Sequence, residues 1–173
     1  MTWRRPTSVG RSASPSERRR AQAISAIYGA VLATAVIAAL SEDSGAGPLE
    51  LVGATVNTGV VFWLAHVFAR FVGERAADWD PAEWHSLPQI SLQELPMVAA
   101  ALLPAAILGL AHLDVLNRDD AVTVALASGV LELSVWGAIA GHHERWGLGA
   151  VVLGSAVATG LGLLMVLLKV LVH

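Results

Sequence analysis

From Ala21 onward, apolar residues fall in runs of about twenty, each closed by a short polar stretch, and a run of that length is what a helix needs to cross about 30 Å of hydrocarbon. Five segments qualify, at residues 21–40, 49–72, 95–113, 121–141 and 147–172. The pattern predicts an all-α integral membrane helical bundle of about five transmembrane helices. The connections are SEDSGAGP after the first span, a longer segment from Gly73 to Glu94, then DVLNRDD and HHERW. Short links of this kind join antiparallel neighbours. Residues 1–20, MTWRRPTSVGRSASPSERRR, lack apolar periodicity and are rich in Arg, Ser and Pro. They are expected to form a disordered basic tail, with residues 21–173 as the transmembrane domain. The run after Arg20 exceeds the roughly 7–15 residues of a signal-peptide core, so it is expected to stay as an anchor.

Composition agrees with the pattern. Hydrophobic residues make up 55% of the chain and charged residues only 14%, against about 25% charged in a soluble domain. There is no cysteine, which excludes disulfides, thiolate nucleophiles and Cys-ligated metal centres. The net charge of −3 averages over a strong asymmetry, because the first twenty residues hold six arginines and one glutamate. Basic residues gather on the cytoplasmic side of membrane proteins. With the N-terminus inside, Arg4, Arg5, Arg11, Arg18, Arg19, Arg20, Arg70, Arg75 and Arg145 are cytoplasmic, and only Arg118 and Lys169 lie outside. A cell-membrane (bacterial inner-membrane) protein with a cytoplasmic N-terminus is the expected topology. Trp79 and Trp84 in the long loop suit the membrane interface, either as simple anchors or as part of a gate or docking segment.

Candidate chemistry is sparse. Glu132 lies near the middle of the fourth span, where a charged side chain is costly and faces a bundle interior or a watery cavity. At 100° per residue Ser128, Glu132, Trp136, Ile139 and His143 form one stripe toward the cytoplasmic end. The stripe reads as a polar track, or Glu132 reads as a protonated tie between helices. His66 in the second span, with Arg70 one turn further on, lies about 9 Å deep and Glu132 about 13 Å deep. If the second and fourth helices are neighbours, the two form a proton relay or cation site. Arg70 is expected to snorkel toward the headgroups. Asn57 falls on the opposite face from His66 and, with Thr55 and Thr58, reads as a packing contact.

Other features are architectural. Gly154, Ala158 and Gly162 in the fifth span, and Ser25, Gly29, Ala33 and Thr34 in the first, are small-residue stripes that permit close helix approach, within the chain or in a homo-oligomer. Pro96 is expected to open the third span and Pro104 to bend it. His66, His112, His142 and His143 offer no depth-matched pair for haem, and no His-x-x-x-His or His-Glu-x-x-His string exists for zinc. No nucleotide-binding or hydrolase motif is present, so no cofactor, metal, nucleic-acid partner or enzymatic activity is expected.

The strings AQAISAIYGAVLATAVIAAL and VVFWLAHVFAR resemble a group of small actinobacterial multi-pass integral membrane proteins of unassigned function. More faintly, Arg20 followed by Ile24, Ser25 and Ala26 is similar to the Arg-x-x-x-Phe-Ser-Asp signature opening the first helix of lysosomal-type potassium channels, although the Phe and the Asp are absent here. The functional expectation is a small proton or cation channel or transporter whose polar site uses Glu132 and His66, with Ser128 and His143 on the same path. The alternative is a structural or accessory subunit that binds a larger membrane partner.

Overall fold

Ser14 and Glu17 start the chain's first helix by a reciprocal cap: the Ser14 hydroxyl accepts from the Glu17 N–H at 3.2 Å, and the Glu17 carboxylate accepts from the Ser14 N–H at 2.6 Å. Two of the orphan donors at a helix N-terminus are thereby satisfied. The computed structural model describes residues 14–42, 45–73, 87–143 and 148–171. These form five helices: α1 (Pro15–Leu40), α2 (Pro48–Gly73), α3 (Leu87–His112), α4 (Arg118–His143) and α5 (Leu148–Leu171). No strand occurs among the described residues. The fold is an all-α bundle, and α1 to α4 are each long and apolar enough to cross a bilayer. In α5 the apolar stretch among the described residues is the shorter Val151–Leu164.

Two expected boundaries move. Residues 15–20, read as part of a disordered tail, belong to α1; residues 1–13 lie outside the described residues. The third helix starts at Leu87 rather than near residue 95, and Pro96 sits inside it, as does Pro104. Leu87 packs against buried Ile90, and Glu94, Met97 and Ala101 are also buried on α3. That three-and-four spacing is a helix face, and it begins well before the hydrocarbon-like stretch. Trp79 and Trp84 lie outside the described residues.

α1 sits at the centre. It packs most closely on α3 and α4 and also touches α2 and α5, while α2 flanks α3 and α5 flanks α4. Small side chains make this possible. Alanine is the best helix former, and Ala23, Ala26, Ala30 and Ala33 of α1 are all buried. At Gly29 an added Cβ would stand 2.1 Å from the Met97 carbonyl oxygen, so α1 and α3 are in backbone contact there. Gly129 of α4 meets Thr34 of α1 in the same manner, with the Thr34 hydroxyl 2.2 Å from where a Cβ would sit.

The small-residue stripe of α5 packs within the chain. Gly154 and Ala158 meet Gly137 of α4, and Gly162 meets Val130 and Leu133. Ser134 and Thr159 add a 2.6 Å hydrogen bond across this seam. At the end of the bundle away from Ser14, Arg118 donates to the Ala46 carbonyl at 3.0 Å and the Ser41 carbonyl at 3.1 Å. The guanidinium thus satisfies the carbonyl of the α1 C-cap, where a cation also suits the helix dipole, and ties the α1–α2 link to the start of α4.

Candidate functional site: two polar centres in the bundle

The first centre grows from Glu94, which is 3% exposed in an apolar helix face. Arg70 of α2 donates to its Oε1 in a tight ion pair. His66 Nε2 stands 3.8 Å from its Oε2. Because His66 and Arg70 are one turn apart on α2, both reach the same carboxylate. Arg70 also reaches the Gln93 side-chain oxygen at 3.4 Å. From α1, Ser25 Oγ donates to the Glu94 carbonyl at 3.1 Å, and from α2, Trp63 Nε1 donates to the Ser91 carbonyl at 3.1 Å. The Tyr28 ring lies 6.0 Å from the His66 ring. Glu94, His66 and Arg70 therefore form a charge-compensated cluster joining α1, α2 and α3. Arg70 is only 30% exposed and is held by Glu94 rather than extending freely to headgroups.

The second centre is Glu132. It lies about 21 Å along α4 from Arg118 and about 17 Å from His143, hence near the middle of the helix. Its Oε2 is sealed from solvent and accepts no hydrogen bond among the described residues. Glu132 and Trp136, one turn apart on α4, line a groove completed by Gln22 of α1 and by Leu92, Leu95, Pro96, Ala99 and Ala100 of α3. The groove has a volume of about 530 Å³. Pro96 has no N–H, so the Leu92 carbonyl loses its usual helical donor. An ionised carboxylate with a sealed, unpaired oxygen is costly to hold in hydrocarbon, so the group calls for a proton or a cation.

The structure brings Glu132 and Trp136 together but separates Glu132 from His66. The principal neighbours of α2 are α3 and α1, whereas α4 packs on α5, α1 and α3. The expected relay between Glu132 and His66 is thus not formed. Similar depth fixed only one coordinate, and the angular order of the helices put the two residues in different interfaces. Ser128 donates to the Ala125 carbonyl of its own helix at 2.7 Å. The His143 side chain lies outside the described residues. Gly29, Gly154, Ala158 and Gly162 lie at close contacts between helices. Asn57 is exposed on α2, and Thr55 donates to the Leu51 carbonyl at 2.7 Å.

Glu94 was not singled out by sequence, because it closes the long segment from Gly73 that reads as a connector. The available signal was the apolar spacing that carries on upstream of it, together with a basic residue late in the preceding span.

A bundle of long apolar helices that carries one buried and one half-buried carboxylate is a membrane-spanning helical bundle, compatible with a multi-pass membrane protein. No protein-family model, curated protein or solved structure matches the chain.

Proposed function

We propose that the chain is a five-span membrane protein with a cytoplasmic N-terminus that moves protons or small monovalent cations, using Glu132 as the exchangeable site. The carrying observation is the sealed, unpartnered Oε2 of Glu132 in a groove between α1, α3 and α4. By helix rise, Gln22 and Leu92 lie about 8–10 Å from the ends of their helices nearest the N-terminus, while Glu132 lies about 17 Å in. The groove thus offers a route from one face toward the membrane centre. The Glu94 cluster is already neutralised by Arg70 and serves as scaffold, holding α1, α2 and α3 in register.

The test is ion flux in liposomes carrying the purified protein and a pH dye. Wild type is expected to dissipate a proton or monovalent-cation gradient, and Glu132→Gln to lose at least about tenfold of that rate, as expected for removing the exchangeable group among the described residues of the route. Equal flux in both proteins overturns the assignment. Absence of flux in both shifts it to an accessory subunit, for which a stoichiometric membrane partner should co-purify.

A further inference from the structure

We propose that the Glu132 groove is a binding site for a lipophilic organic cation, with the Glu132 carboxylate as counter-charge and the Trp136 ring as a second contact. This deepens the transport reading above and rests on it for the direction of exchange.

The groove is a poor match for a resident divalent metal ion. Such ions take about six or more oxygen ligands, and no group of three or more His, Cys, Asp or Glu exists among the described residues. Besides Glu132, the lining residues with polar side-chain atoms are Gln22 and Trp136, and the rest of the wall is Leu92, Leu95, Pro96, Ala99 and Ala100. A volume of about 530 Å³ falls in the range of sites for small organic molecules, about 300–1,000 Å³, which are mostly apolar with a few polar groups that fix orientation.

The chemistry at the end of the groove selects charge. Glu132 and Trp136 are four residues apart on α4 and face the same space, so a cation paired with the carboxylate sits within reach of an indole. The rim is open to the flank of the bundle, where Leu92 is 63% exposed and Leu95 43% exposed. A ligand dissolved in the bilayer can enter there. Such a ligand carries one permanent or protonated nitrogen or phosphorus centre wrapped in hydrocarbon.

Protons compete for the same oxygens. A Glu132 that releases one proton on accepting one monovalent cation keeps the site neutral in both states, so binding weakens as the pH falls. Among the described lining residues no other group titrates. On α3, Glu94 is engaged by Arg70 and His66 toward α2. On α1, Arg20 lines an adjacent groove against α4 and α5 rather than this one. At the α4–α5 seam the polar groups are the hydroxyls of Ser134 and Thr159.

The experiment measures equilibrium binding of tetraphenylphosphonium to the full-length protein in detergent, over a range of pH, and proton flux in liposomes from the same preparation. Expected are saturable binding that weakens on acidification, loss of at least about 100-fold in affinity for Glu132→Gln, and a loss of about tenfold for Trp136→Leu. Glu132→Asp keeps the charge and should keep pH-dependent binding, which decides the matter if Glu132→Gln does not fold. Asn57→Ala, on the exposed face of α2, should bind as wild type does. No saturable binding, or binding equal in wild type and Glu132→Gln, overturns the inference. Glu132-dependent flux without cation binding overturns the inference and leaves the transport reading intact, whereas binding without flux keeps the site and removes transport.

Discussion

Two glutamates in this bundle show how differently the same side chain is treated. Glu94 is almost fully buried yet has Arg70 and His66 against its two oxygens; Glu132 is only half-buried yet has a sealed oxygen with no donor among the described residues. Removing one member of a buried pair strands the other charge, which costs about 3–5 kcal/mol, while replacing both by apolar groups is often neutral or stabilising. Arg70→Met is therefore expected to lower unfolding stability in detergent by about 3 kcal/mol. Arg70→Met combined with Glu94→Met should recover most of that loss. A double variant as unstable as the sum of the two single ones would show that the pair is not coupled. Glu132 was legible in the sequence because no apolar span hides an acid, whereas Glu94 was masked by its place at the end of the expected connector. Its partners could not be read from spacing, since they come from other helices.

At the scale of elements, hydropathy marks the hydrocarbon-matching part of a helix and not the helix itself. This explains why α1 begins at Pro15, before the arginine run, and α3 at Leu87. The stripes of small residues were better guides, for close approach is written directly in side-chain size. Gly29→Ala should drive a methyl group into the Met97 carbonyl, 2.1 Å away, and destabilise the bundle by about 3 kcal/mol. Gly109→Ala, with open space around its position, should be neutral or gain up to about 1 kcal/mol from helix propensity. Thermal unfolding of the two variants side by side distinguishes a packing glycine from an incidental one. Equal melting temperatures would mean that α1 and α3 are not in backbone contact.

For the whole molecule, the helix count and alternating direction were legible because each run matches a bilayer and short links follow most of them. The order of the helices around the bundle was not, since hydropathy fixes depth but says nothing of angle. Orientation is testable without background because the chain has no cysteine. With the N-terminus inside, Val115→Cys in the α3–α4 turn, an exposed position, should react with an impermeant maleimide in intact cells. Ser14→Cys should react only after the membrane is opened. The reverse pattern would invert the topology and place the mouth of the Glu132 groove outside.

The backbone contact at Gly29 also bears on how the protein comes into being. α1 leaves the ribosome before α3, but the surface that fits it belongs to α3, two helices later, and α1 packs far less on α2 than on α3. Ser25 likewise waits for the Glu94 carbonyl. Order of synthesis and order of packing therefore differ: α1 gains its largest partner surface only once the residues around Met97 have been made.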